Sequence, residues 1–227
     1  GKTGVKEALF VALDRGAPGR AHRSVKSYNN HTGVPLSLAR MPRDARFGVF
    51  EMGMNHAGEL AALTRLVRPH VALVTAVASA HREYFDSEEA IADAKAEVFE
   101  GLEPGGVAIV PFDSPHRDRL LAAARPYARH LVTFGLGEGA DVRATYVIRG
   151  SGGGSMVTAA LPDGQLSFTI NQPGAHWVGN ALAVLAAVEA VGGDLAQAGL
   201  APADLEGLKG RGARREISVE GGAALLI

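Results

Sequence analysis

The sequence predicts an α/β fold, a mostly parallel sheet flanked by helices with a small antiparallel β extension. Three observations carry this. Apolar runs with little polar alternation recur at 47–50, 71–77, 107–110 and 131–134, the pattern of strands covered on both faces. Helical stretches fall between them at 57–67, 87–102 and 115–128, and strands alternating with helices imply parallel pairing through right-handed crossovers. The segment 142–170 differs: runs at 144–148, 155–161 and 166–170 alternate polar with apolar residues and are separated by Gly150-Ser151-Gly152-Gly153-Gly154 and Pro162-Asp163-Gly164. That spacing reads as an antiparallel meander.

Taken in order, Gly1-Lys2-Thr3 runs into Val5, Ala8, Leu9 and Val11, a first helix. The alternating strands and helices follow, then the meander. A long helix over 175–191 is stopped by Gly192-Gly193, and strand-like segments surround Glu220-Gly221-Gly222. The chain has no initiator Met and closes on Ala223-Ala224-Leu225-Leu226-Ile227, which reads as a strand stopped partway, so both ends are expected to be cut. Without repeats or long low-complexity tracts, one domain with a β extension is the simplest partition.

Composition narrows the function classes. The 227 residues are 47% hydrophobic and 21% charged, with a formal net charge of −1, a balance that excludes disorder and collagen. The 29 glycines are nearly twice the average usage of about 7%, which suggests many tight turns. Scattered, near-neutral charge argues against a nucleic-acid surface or a polybasic membrane surface. With no cysteine, disulfides and thiolate metal sites are excluded, and any metal must take oxygen or imidazole ligands. No apolar run approaches the roughly 20 residues that span a bilayer, so no membrane insertion and a cytoplasmic address are the expectations.

Five places can carry chemistry. Gly1-Lys2-Thr3 looks like the last part of a G-x-x-x-x-G-K-[ST] phosphate loop entering its helix; half of the motif is present, and a frayed terminus is the plainer alternative. Glu51 ends the apolar strand Phe47-Gly48-Val49-Phe50 and is followed by Met52-Gly53. Ligands gather at the carboxyl ends of strands in open α/β sheets, and a carboxylate there suits Mg²⁺. The next strand leads to Ala78-Ser79-Ala80-His81, so an acid and an imidazole stand above neighbouring strands; either one alone reads as a solvated loop residue.

Lys95 lies on the helical stripe of Ile91, Ala94, Val98 and Leu102, where lysine either snorkels or has a special role near a metal. His176 and Asn180, four apart, share a face of the long helix, and an Asn either reads an adenine edge or caps the helix. The Lys209-Gly210-Arg211-Gly212-Ala213-Arg214-Arg215 cluster is either a phosphate clamp or a solvated charge run.

In this order these residues resemble the central, ATP-binding domain of the Mur ligases, a P-loop-type fold, over essentially the whole chain. Ser27-Tyr28-Asn29-Asn30-His31-Thr32-Gly33-Val34-Pro35-Leu36 and Glu51-Met52-Gly53-Met54-Asn55-His56-Ala57-Gly58-Glu59-Leu60 look like the branch that adds D-alanyl-D-alanine to UDP-MurNAc-tripeptide. The resemblance implies ATP and two Mg²⁺ ions as cofactors. Gly1 and Lys2 would hold phosphates. Thr3 and Glu51 would hold one metal, and His81 with Glu51 the second. Lys95 would match the family lysine that CO₂ carbamylates, a change from cation to bidentate anion that resolves its place on an apolar stripe.

The resemblance further places Asn180 at adenine with His176 beside it, Asn29 and Asn30 on the substrate side, and Arg211 at phosphate, with Arg214 and Arg215 left as alternatives. Lys2, His81 and Lys95 would form the catalytic set. The implied reaction is amide formation through an acyl-phosphate in peptidoglycan precursor synthesis, by a protein that is monomeric at full length. Trp177 stands where the family commonly has Asn, and Gly4-Val5 replaces a Thr-rich helix start. The N-terminal substrate domain, the first half of the phosphate loop and the C-terminal domain are expected to be missing, leaving this chain inactive alone. The competing readings are a ligase of the folylpolyglutamate or cyanophycin type, and a non-catalytic nucleotide-binding module.

Overall fold

A computed structural model of the chain describes residues 1–77, 84–151, 153–204, 215–219 and 222–226, the last two segments as backbone only. The elements run α1 (Lys2–Gly16), β1 (Ala21–Arg23), α2 (Gly33–Ala39), β2 (Phe47–Val49), α3 (Glu59–Val67), β3 (Val71–Leu73), α4 (Glu88–Ala96), β4 (Val107–Pro111), α5 (Arg117–Ala124) and β5 (His130–Gly135). Then come β6 (Val142–Arg149), β7 (Ser155–Leu161), β8 (Gly164–Ile170), α6 (His176–Ala190), α7 (Leu195–Asp204) and a hairpin of β9 (Arg215–Val219) and β10 (Gly222–Leu226).

Six strands form one sheet in the order β3-β4-β5-β6-β7-β8. The first three pairings are parallel and the last two antiparallel. The parallel half and the meander therefore share a single hydrogen-bonded ladder, joined where Phe134 pairs with Val142. This is the predicted fold class. Residues alternate across β4: Ile109 belongs to a core with α1 and α6, whereas Ala108 and Val110 pack with Phe99 and Leu120. A strand facing apolar partners on both sides cannot alternate polar and apolar residues, which is why these segments read as continuous runs. The helix α6 is the central rod of the larger core, with Leu182, Ala183, Val184 and Val188 wholly buried.

Strands β1 and β2 form a separate parallel pair, with Ala21 opposite Phe47. Among the described residues neither β2 nor β3 pairs with the other. Between them lies a cavity of about 730 Å³, walled by residues 46–52 on one side and 67–76 on the other. Consecutive rather than alternate residues line it, so its walls are strand edges and not sheet faces. Val5, Leu9 and Leu13 of α1 and Ala187, Ala190 and Val191 also line it.

The helix expected over 87–102 changes character at Glu97, where a 3-10 turn, Glu97–Gly101, takes over. The Ser87 hydroxyl caps its start by accepting from the Ala90 amide at 3.1 Å. At its end the Glu97 carboxylate leaves the helix axis to accept from the amides of Gly58 and Ala61, at 2.7 and 3.2 Å. These are free donors at the start of α3, where a carboxylate is favoured. The Thr64 hydroxyl donates to the Val98 carbonyl at 2.7 Å. Gly101 then meets α3 so closely that a Cβ would lie 2.4 Å from the Thr64 carbonyl. Gly101→Ala is expected to cost about 2 kcal/mol through this clash, read as a lowered urea midpoint with an unchanged slope.

Candidate nucleotide and metal site

Glu51 sits just past the end of β2 and is 6% exposed. One carboxylate oxygen, Oε1, accepts from Asn29 Nδ2 at 3.0 Å. The other, Oε2, is buried with no hydrogen-bond partner among the described residues, a state that costs about 1–3 kcal/mol for a polar group left unpaired. Asn29 is fixed from the other side as well, because its carbonyl accepts from the Gly53 amide at 2.8 Å. Gly53 has no side chain where a Cβ would lie 3.0 Å from the Asn29 amide. Asn30 does something different: its Oδ1 accepts from the Thr32 and Gly33 amides at 3.2 and 2.9 Å, capping the entry to α2.

The first turn of α1 comes up to the same place. Thr3 is 7% exposed, and its hydroxyl lies 3.5 Å from that of Ser27. Lys2, Glu51 and Lys95 all line the cavity between β2 and β3. No described residue gives Lys95 a hydrogen bond or ion pair. Burial, and then the positive charge of Lys2, push its pKa down to about 8. The lysine that sequence periodicity put on an apolar stripe is thus partly desolvated and faces another cation.

At the start of α6, Asn180 Oδ1 accepts from the Gly1 amino group at 3.4 Å, while its Nδ2 is buried without a partner among the described residues. The His176 ring lies tilted against the Trp177 ring, centroids 5.7 Å apart, and burial lowers its pKa. Gly174, at φ +114°, makes the turn into this helix with the His176 ring 2.9 Å from where a Cβ would be, a conformation open to glycine and closed to most other residues. The Trp177 ring lies on α1, where a Cβ on Gly4 would come within 2.9 Å of its Cη2. The two departures from the family pattern are therefore complementary: the bulky ring occupies space that a side chain at position 4 would fill.

The structure brings Lys2, Thr3, Asn29, Glu51 and Lys95 to one region, with Gly1, His176 and Asn180 at the adjoining start of α6. His81, Arg211 and Arg214 lie outside the described residues, as does the side chain of Arg215. Among the described residues no three His, Asp or Glu side chains gather as a metal cluster. Sequence reasoning passed over Lys6, which is 3% exposed and donates to the Ser24 carbonyl at 2.9 Å. The available signal was a Lys-Glu pair inside the apolar start of α1.

A profile of the Mur ligase middle domain matches residues 1–188. The chain belongs to the Mur ligase family. The UDP-N-acetylmuramoyl-tripeptide–D-alanyl-D-alanine ligase of Escherichia coli is 36% identical over 214 residues, which are 93% of this chain and 46% of that protein. A crystal structure of MurF from Acinetobacter baumannii superposes with a TM-score of 0.88 at 31% identity, covering 99% of this chain and 48% of that one. MurF from Thermotoga maritima, solved in complex with ADP, gives a TM-score of 0.79 at 25% identity, over 95% and 48%. The chain thus spans about half the length of the Mur ligases it matches. No described helix is long and apolar enough to cross a membrane.

Two outcomes are expected in this Mur ligase domain. Lys95→Met removes a buried ammonium and should raise Tm at pH 6 by roughly 4 °C. The folded-state pKa of Lys95 is about 8 against an ordinary 10.5, so wild type gains stability between those values and the advantage of the variant should fade over that range. Gly4→Thr should cost about 2 kcal/mol from overpacking. Adding Trp177→Asn should recover at least about half of that, a coupling read from a double-mutant cycle of urea melts.

Proposed function

We propose that the polypeptide carrying this chain is an ATP-dependent ligase that joins D-alanyl-D-alanine to UDP-MurNAc-tripeptide in peptidoglycan precursor synthesis. The observation that carries this reading is Glu51, a buried carboxylate with one oxygen held by Asn29 and the other without a partner among the described residues, next to the Lys2-Thr3 start of α1. A carboxylate oxygen without a protein donor fits a hard divalent cation, and Mg²⁺ commonly completes its shell with a hydroxyl, phosphate oxygens and water. Thr3 and Glu51 would hold one Mg²⁺, and Glu51, His81 and a carbamylated Lys95 the second. When bound, these ions supply neutralisation of phosphate charge.

The chain's own residues do the rest by placing charge. Lys2 and the free amides of the first turn of α1 face the β- and γ-phosphates, where the helix dipole favours an anion. Asn180, with its Nδ2 unpaired among the described residues and its oxygen turned to Gly1, offers an amide edge to adenine beside His176, and Arg211, with Arg214 and Arg215 as alternatives, would contact phosphate. The tripeptide carboxylate attacks the γ-phosphorus, forming an acyl-phosphate as ADP leaves. The amine of D-alanyl-D-alanine then attacks the acyl carbon, phosphate departs and the amine loses a proton. Asn29 acts through Glu51 on the substrate side.

Lys95 suits carbamylation because burial beside Lys2 frees its amine at about pH 8, and the neutral amine is the form that adds to CO₂ with loss of a proton. A cytoplasmic, monomeric full-length enzyme accords with these soluble substrates.

The test is ligation by the natural polypeptide that carries these residues, with D-alanyl-D-alanine and glutamate compared as acceptors. Glu51→Gln and Lys95→Ala are each expected to lower kcat/KM by about 10²–10³-fold, with D-alanyl-D-alanine preferred by wild type. Full activity of Lys95→Ala overturns its metal role, preference for glutamate points to the folylpolyglutamate type, and no turnover with either acceptor points to a binding module.

A further inference from the structure

The buried ammonium of Lys6 has no part in the chemistry above, yet it sits beneath the residues that do. Lys6 lies one turn beyond Thr3 on α1, with its side chain 2% exposed. An ammonium offers three donors, and each finds an acceptor. The Ser24 carbonyl is at 2.9 Å, the Lys26 carbonyl is also bonded, and Glu7 Oε1 is at 2.9 Å. Glu7 is held in turn by Arg23 Nε at 2.8 Å, whose guanidinium lies 3.8 Å over the Phe10 ring. A buried charge is tolerated only when it is paired and hydrogen-bonded in this way.

What this arrangement secures is the segment 24–30. Ser24 is fully buried and its amide donates to the Val49 carbonyl of β2 at 3.0 Å. Lys26 adopts φ +53°, a left-handed conformation that costs of order 1–3 kcal/mol in a residue with a side chain; its own carbonyl is one of the two bonded by Lys6. One residue on, Ser27 meets Thr3, and two further on Asn29 donates to Glu51. The segment therefore crosses from β1 over the start of α1 to the end of β2, strained at Lys26 and pinned there by Lys6.

We propose that Lys6 is a positioning residue: by fixing the 24–30 strap it sets how Asn29 presents Glu51, and so the affinity of the site for a divalent cation. The inference rests on the functional reading above and adds to it a residue with no contact to substrate or metal. A group that orients a metal ligand through an intervening hydrogen bond commonly governs 10–100-fold in metal affinity.

The experiment measures ligation by the natural polypeptide across a Mg²⁺ titration, with Tm recorded for each variant. Lys6→Met is expected to raise the Mg²⁺ concentration for half-maximal activity by at least about 10-fold, while kcat at saturating Mg²⁺ stays within about 3-fold of wild type. Lys6→Arg keeps the charge but not the compact three-way donor, so a smaller shift in the same direction is expected, and it carries the test where Lys6→Met does not fold. In an Asn29→Ala background Lys6→Met should shift the midpoint no further, since the path to Glu51 is already cut. A lowered Tm with an unmoved Mg²⁺ midpoint, or a shift that persists undiminished without Asn29, overturns the inference and leaves the functional reading standing. A wild-type protein without Mg²⁺-dependent turnover overturns both.

Discussion

A carboxylate with one oxygen anchored and the other without a partner is costly to keep inside a protein, and among the described residues Glu51 is held in that state. The strand β2 delivers it, Asn29 holds one side of it, and the missing side chain at Gly53 leaves the space that the Asn29 amide occupies. An unpaired buried acceptor can be relieved by rotating out or by drawing in water. Here rotation would break the Asn29 bond. The residual demand for a positive partner is what makes the position chemically useful.

The lysines supply the opposite half of the same logic. Lys2, Lys6 and Lys95 line one cavity with Glu51 as the acid among them. Lys6 is neutralised within the protein, whereas Lys95 is partly desolvated and feels Lys2. Positive charge held close together raises the free energy of the empty site and lowers that of a site filled by a polyanion. Folding stability is traded for preorganisation, a common bargain at sites built to bind charge.

Much of this was legible in sequence because continuous apolar runs and helical stripes report burial directly. The parallel strands, the antiparallel extension, the long helix α6 and the anomalous Lys95 could all be read in that way. The elements that escaped have weak apolar signals. The β1 strand is three residues, Ala-His-Arg, each only partly buried. The short α2 begins at glycine and contains Pro35, and α7 contains Gly199 and Pro202, both poor helix residues. The helical stretch over 87–102 is present, but its change to a 3-10 turn at Glu97 accompanies hydrogen bonds to α3 that periodicity does not register. Glu51 and Asn29 were legible as residue types, but the bond between them is a tertiary fact, as are Trp177 against Gly4 and the three acceptors of Lys6.

The cavity between β2 and β3 also bears on how the sheet ends. Among the described residues β2 and β3 each leave the edge toward this cavity unpaired, and unpaired strand edges are templates for extended segments that can align with them. Here those edges face a cavity inside the domain, where most α/β proteins have them only at the outermost strands.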